Sequence, residues 1–238
     1  MVLDCAHLAQ EETGDFADHD PKPPFSTCTP DVLPRSPYED DYTRSDYLQA
    51  AYHYRDLGWS VFPLYKKLPA AGGWRHLQQR RPRDPEIGRM FSRSSRVDGI
   101  AAVTGDASVG LCVRDFDTVD AYLAWAEPRA DLARRLPTVR TGRGLHVYIR
   151  LPKGYGPIYR SWKTSLLKGE LLGTPKRYVV LPPSRHPSGA RYRWVWGEPF
   201  TFGDLPTFAP EELGWLEHQE HSEEHSEEHS EEHSQTRP

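Results

Sequence analysis

The 238-residue chain holds 30 basic and 34 acidic residues, for a formal charge of −4, and is 37% hydrophobic with three cysteines and 22 prolines. No run approaches the ~18 apolar residues of a membrane span, and the first twenty residues are acidic with no apolar core, which argues against a membrane or secreted protein and for a cytoplasmic one. Cys5, Cys28 and Cys112 lie too far apart for a CxxC pair or a disulfide framework, so neither a zinc site nor disulfide stapling is expected.

Residues 1–43 carry ten acids and two bases and include PKPPF and TPDVLPRSP. With few apolar residues at helical or strand spacing, they are expected to form a disordered acidic leader. SDYLQAAYHYRDLG predicts a helix with Ser45 as N-cap and Gly58 as its stop. WSVFPLY predicts a strand, residues 66–85 a loop, and DPEIGRMFSR a short helix. GIAAVTG and SVGLCVRDFD read as strands, and TVDAYLAWAEPRADLARRL as helix broken at Pro128.

TVRTGRGLHVYIRLP predicts strand, glycine turn and strand. KGELLG and KRYVVLPP read as a hairpin-like pair around Gly173, and ARYRWVWG as a last strand with alternating aromatics. Mixed elements with a strand-rich second half argue α+β, or mixed α/β, within a folded segment 44–216. From Glu217 the chain repeats HSEE, with His221, His225, His229 and His233 every four residues; this polar tail has nothing to bury and is expected to be disordered. The two ends remove 18 acids and three bases, leaving 16 acids and 27 bases, a charge of +11, on the body. A body so charged favours polyanionic partners.

Three motifs carry chemistry. Asp115 and Asp117 end the strand GLCVRDFD, and alternation projects residues i and i+2 to one face. Two carboxylates so placed repel unless a cation stands between them, and Mg²⁺ or Mn²⁺ suits such oxygen ligands; two solvated turn aspartates are the alternative. The turn Thr141-Gly142-Arg143-Gly144-Leu145-His146 can set a guanidinium and an imidazole around a phosphate, or be an ordinary hairpin.

Glu170 is the only acid between Asp131 and Glu198 and opens an apolar strand, where it could complete a metal site with the two aspartates. Downstream, Lys176 and Arg177 precede the strand YVVL. The loop PPSRHPSG then offers the hydroxyl of Ser184, a guanidinium and an imidazole, or is a surface turn.

The order of these pieces, strand-DxD, Gly-turn-His, then strand-Glu followed by VVLPPSRHPSGARYRW, resembles the bifunctional DNA primase/polymerase family of the archaeo-eukaryotic primase superfamily. LGWSVFPLYKKLPA and GIAAVTG resemble its opening, so the resemblance covers roughly residues 45–200. It implies an RRM-like mixed or antiparallel catalytic sheet packed with a smaller N-terminal α/β unit. It also implies metal-binding carboxylates at Asp115, Asp117 and Glu170, and a nucleotide-binding histidine at His146. Arg143, Lys176, Arg177 and Ser184 would assist it with nucleotide, and the opening's lysine falls on Lys66 or Lys67. A small hydroxyl residue often stands two places before that histidine; Gly144 stands there in this chain.

The expected function is template-directed nucleotidyl transfer, as DNA primase, DNA polymerase or both, with Mg²⁺ or Mn²⁺. The expected partners are single-stranded DNA template and primer, dNTP or NTP, and a separate helicase or replication protein, with no membrane. The rival readings are a non-catalytic nucleic-acid-binding module and a metal-dependent phosphodiesterase or nuclease.

Overall fold

A computed structural model describes residues 42–70, 72–196 and 205–216; the tail and all but the last two residues of the expected leader lie outside the described residues. The first helix, α1 (Arg44–Asp56), is capped by Thr43 rather than Ser45: the Thr43 side chain accepts from Asp46 N, and Asp46 reaches back to Thr43 N at 2.7 Å. This capping box satisfies two amide groups of the first turn. The strands β1 (Ser60–Tyr65), β2 (Leu68–Pro69) and β3 (Gly99–Val103) and the helix α2 (Asp84–Arg93) complete the N-terminal part. Thus the expected loop 66–85 holds a short strand and a 3-10 turn at Arg75–Gln78.

Seven further strands and two helices follow: β4 (Leu111–Phe116), α3 (Val119–Ala126), α4 (Ala130–Ala133), β5 (Thr138–Arg140), β6 (Leu145–Arg150), β7 (Ile158–Trp162), β8 (Gly169–Gly173), β9 (Tyr178–Leu181) and β10 (Arg193–Trp196). A 3-10 turn containing Pro128 separates α3 from α4, where the sequence predicts a break. The strands build two antiparallel sheets, a four-stranded one in the order β2-β1-β3-β9 and a six-stranded one in the order β10-β5-β6-β4-β8-β7. The fold is therefore α+β. The expected pairing of β8 with β9 does not occur: β8 joins β4 and β7, while β9 crosses to β3. The crossover is held by Gly105, where a Cβ would meet Pro175 at 2.9 Å and Thr174 Cα at 3.0 Å. The N-terminal sheet thus depends on a strand from late in the chain.

Alternation sorts the six-stranded sheet into two faces. Phe116, Leu145, Val147, Ile149 and Leu171 pack against Tyr122 and Trp125 of α3 and against Trp215. Leu111, Val113, Val139, Tyr148 and Leu172 face the other way and join Trp59, Phe62, Ile100 and Val180 in a shared core. An aromatic chain crosses between the sheets: Tyr54 stacks on Trp59 at 5.2 Å, Trp59 on Tyr148 at 6.2 Å, and Tyr148 meets Trp194 at 5.0 Å. Such pairs are worth about 0.5–1.5 kcal/mol each beyond their burial. Among the described residues no helix is long and apolar enough to cross a membrane.

The segment before α2 is tied by Glu86, which accepts from Arg80 at 2.7 and 3.1 Å and lies 2.8 Å from His76 Nε2. The Arg80 bond, helped by His76, outweighs burial and holds the carboxyl at about 2, below its ordinary 4.5. A carboxyl depressed on folding stabilises the protein above its unfolded value, and that contribution fades as pH falls toward the folded one. Glu86→Gln is therefore expected to be less stable than the parent at neutral pH, with the gap closing between pH 4.5 and about 2. Urea midpoints measured across that range check it; a gap independent of pH would contradict the tie.

Candidate functional site

Register brings the three motifs together. Asp115 on β4 stands directly opposite His146 on β6 and directly opposite Glu170 on β8. Opposed residues share a face, with Cβ atoms about 5 Å apart. One row of the central sheet therefore carries His146, Asp115 and Glu170, on the face turned to the shared core. Asp117 follows Asp115 by two residues, just past the end of β4, where its N–H donates to Lys168 O at 3.0 Å.

Two glycines let the neighbouring strands close on this strand end. A Cβ at Gly144 would stand 1.8 Å from Phe116 O, and one at Gly169, where φ is 142°, would stand 1.9 Å from Asp115 O. Gly142 belongs to the same turn, and a Cβ there would stand 2.7 Å from the His186 ring. The glycine turn and the PPSRHPSG loop thus touch. Thr141 closes the turn, its hydroxyl accepting from Gly144 N at 3.0 Å.

Behind the row, on the opposite face, Arg114 is 2% exposed. It donates to Asp115 O and Leu167 O at 2.7 Å each and to Glu170 O at 3.4 Å, with its guanidinium 4.4 Å from the Phe116 ring and 4.3 Å from that of Trp162. These bonds rivet β4 to β8 through the two residues whose carboxylates matter. Burial pushes Arg114 down to about 10, against the pull of Asp115 and Asp117, and it remains a cation at neutral pH. No sequence pattern pointed to it.

His146 Nε2 lies 3.4 Å from Asp115 Oδ1, and His146 Nδ1 lies 3.4 Å from the Tyr148 hydroxyl. Burial works to raise Asp115, but His146, with Arg114 and Lys67, outweighs it and holds the carboxyl below the usual carboxylate range. On the far side Tyr159 of β7 donates to Glu170 Oε1 at 2.6 Å, and the Arg177 guanidinium stacks 4.1 Å from the Tyr159 ring. Tyr159 therefore aims Glu170. Tyr159→Phe is expected to cut the rate of whatever chemistry Glu170 serves by about tenfold, the worth of one charge-assisted hydrogen bond, with substrate affinity unchanged. A kcat and KM comparison checks it; loss confined to KM would contradict the positioning role.

From the other sheet comes Lys67. The turn joining β1 to β2 sets Lys66 and Lys67 at φ 51° and 67°, a conformation usually given to Asn-Gly. Asp98 accepts from Lys66 N at 2.9 and 3.1 Å, and Tyr178 donates to Lys67 O at 3.2 Å, which holds the strained pair. Strain of this kind collects at functional positions. Lys66 turns to the Tyr65 ring, whereas Lys67 Nζ stands 5.9 Å above the Tyr192 ring. Burial and then Arg143 lower Lys67, while Asp115 and Asp117 raise it. His186 is lowered by burial and by the Lys67 and Arg143 charges.

Tyr192 is the hub, its ring 5.7 Å from His146 and 6.2 Å from His186. The sequence left Lys67 as one of two lysines and offered His186 only as an imidazole of the PPSRHPSG loop; Tyr192 it did not single out. Ser184 is 1% exposed, and its hydroxyl accepts from Ile100 N at 2.8 Å and donates to Ile100 O at 3.2 Å. It props β3 and offers nothing to a ligand. Lys176 and Arg177 are exposed before β9.

The donor set is one of hard oxygens on one face, which fits a divalent cation such as Mg²⁺ or Mn²⁺. Protein partners hold the carboxylates apart: His146 takes Asp115 and Tyr159 takes Glu170. Among the described residues no three His, Cys, Asp or Glu side chains already stand in a metal-holding arrangement. The register already sets Asp115 and Glu170 side by side, so bringing those two carboxylates to one cation would call for side-chain rotation.

Two cavities of about 850 and 470 Å³ lie elsewhere, around the segment that leads into α2. The family model described as bifunctional DNA primase/polymerase, N-terminal, matches residues 50–212. That span contains every residue of the row and its surroundings. A search of curated proteins finds no match to the chain.

Proposed function

Because the chain belongs to the bifunctional DNA primase/polymerase N-terminal family, we propose that it adds nucleotides to a DNA or primer strand along a single-stranded template, with Asp115, Asp117 and Glu170 holding Mg²⁺ or Mn²⁺. The observation that carries this reading is the single row His146, Asp115, Glu170 across adjacent strands, faced by Lys67 from the other sheet. When bound, the cations supply activation of the attacking hydroxyl and charge neutralisation at the phosphates.

The chain's own residues do the rest. Lys67, Arg143 and His146 form a cationic pocket wall beside the carboxylates, suited to the oxygens of a triphosphate. His186 supports Gly142 and so sets the turn that carries Arg143. Tyr192 floors the pocket between the two histidines. Tyr159 and Arg114 fix Glu170 from the side and from behind. Arg177, stacked on Tyr159, and Lys176 offer charge to nucleotide or template on the Glu170 flank.

Labelled dNTP or NTP incorporation on single-stranded template, with and without primer and with each metal, tests the reading. Template-dependent and metal-dependent lengthening is expected. DNA binding without incorporation under any condition would leave the binding-module reading, and strand shortening would leave the hydrolase.

A further inference from the structure

The two cavities away from the carboxylate row share Arg80, Arg83 and Pro85, and form one groove beside the N-terminus of α2. We propose that this groove binds the sugar-phosphate backbone of the nucleic acid, as a second anchoring site distinct from the place of chemistry. The inference rests on the reading above for its ligand class.

Five guanidinium groups line the groove. Arg55 is engaged with Asp56 and Asp84, and Arg80 with Glu86. Arg81, Arg83 and Arg89 are exposed and form no ion pair among the described residues. Against the four carboxylates of the lining, Asp56, Asp84, Glu86 and Asp106, the five guanidinium groups leave a formal charge of +1, with the positive charge gathered on Arg81, Arg83 and Arg89.

The wall is preorganised. Pro82 is buried and restricts Arg81 before it to extended backbone, Arg83 is the extended N-cap of α2 at φ −84°, ψ 159°, and Pro85 sits in the first turn of that helix, where its missing N–H costs nothing. Ser60 Oγ donates to Leu77 O at 2.9 Å and lies 3.2 Å from Arg80 O, tying the segment to the start of β1. Arg81 Nη1 and the Val109 side chain close on Gly58, where a Cβ would stand 3.1 and 3.2 Å from them. An anion bound there would relieve the repulsion among the three guanidinium groups that form no ion pair.

Two features favour a polynucleotide backbone over a lone anion. The lining includes no aromatic residue, so it has no platform for base stacking and suits sequence-independent backbone contact. The groove is also linked to the carboxylate row. Ala107 lines it, and the Gly105 turn next to Ala107 packs on Thr174 and Pro175, while Thr104 N donates to Arg177 O at 3.0 Å. Arg177 then stacks on Tyr159, which holds Glu170. Along β4 about 13 Å at ordinary strand rise separates Leu111, which bridges to Gly105 of that turn, from Asp115. A strand bound in the groove can therefore pass Lys176 and Arg177 on its way to the site.

The test is fluorescence anisotropy of labelled single-stranded and duplex oligonucleotides on the full chain, from about 50 to 200 mM salt. The variant Arg81→Ala, Arg83→Ala, Arg89→Ala is compared with an equal-charge control, Arg93→Ala, Arg135→Ala, Lys153→Ala. The groove variant is expected to bind DNA at least tenfold more weakly than the control, with a salt slope shallower by about 2 for three lost phosphate contacts on a single strand. Its incorporation rate at saturating DNA should match the control. Whichever of the single-stranded and duplex probes loses more affinity is the form the groove holds.

Equal affinity and slope for the two variants would overturn the proposal. So would competition by inorganic phosphate that is equally effective against short and long oligonucleotides, or preferential binding of a synthetic peptide of residues 217–238 over DNA. If the parent binds DNA with the expected slope yet incorporates nothing, the catalytic reading fails and the groove stands.

Discussion

Asp115→Ala combined with Asp117→Ala is expected to abolish nucleotide incorporation while leaving DNA affinity equal to the parent or slightly higher. The two carboxylates are two of the three in a donor set whose cations would supply several kcal/mol at the transition state. With about 1.4 kcal/mol per factor of ten, incorporation should fall by more than about a thousandfold. Affinity moves the other way because the substitutions remove negative charge from a site that must receive phosphates. Removing Asp115 also leaves His146, 5% exposed, without its 3.4 Å partner, so some stability is lost. Melting curves run beside the incorporation and anisotropy assays separate that effect from catalysis. Survival of extension in a folded double variant would remove the metal assignment.

Gly144→Ala is expected to lower stability by about 3 kcal/mol or more, near the upper end for single substitutions. In a domain of this size that is about 6–12 °C in Tm. The new Cβ would stand 1.8 Å from Phe116 O and 2.7 Å from Asp117 C. Both are backbone atoms of the segment that carries the two aspartates, so relief requires moving them. Residual folded protein should therefore also be defective in incorporation. Gly72→Ala, where a Cβ meets nothing within 4 Å, is the control and should melt with the parent. A Gly144→Ala protein that melts with the parent would show that the strands do not close as described. The same contact explains why a small hydroxyl residue is not found at this position: a side chain has no room.

The parts of the site that were legible in the sequence are those written within one strand or turn. GLCVRDFD states its own alternation, and TGRGLH its own turn. What no local pattern contains is register. Asp115 opposite both His146 and Glu170 is a fact about pairing between residues 31 and 55 apart in the chain, and a one-residue slip in either partner would have sent its side chain to the other face. The false pairing of β8 with β9 has the same origin. Two short β-rich runs around Gly173 look alike whether they fold on each other or leave for different sheets, and only the contacts of Gly105 with Thr174 and Pro175 decide it.

Lys67 was in view as one of two residues, and the turn's left-handed backbone at both lysines, not its sequence, selects which one reaches the site. Ser184 was misleading because a hydroxyl in a Pro-rich loop reads as available, whereas its bonds to Ile100 hold it in the interior. The strand β7, IYRSW, escaped notice because as an edge strand it leaves Arg160 and Ser161 exposed and lacks an apolar run. The first turn of α1 did carry a signal: Thr43 and Asp46 are spaced as a capping box.

The central claim is that Asp115, Asp117 and Glu170 share divalent cations from one face of one sheet. Electron paramagnetic resonance of Mn²⁺ titrated into the full chain with dNTP tests it without relying on turnover. The parent is expected to bind two Mn²⁺ per chain, and Glu170→Gln, isosteric and still able to pair with Tyr159, is expected to lose or severely weaken one of them. Identical titrations for parent and Glu170→Gln would contradict the claim and leave Glu170 a neighbour of the site instead of a member of it.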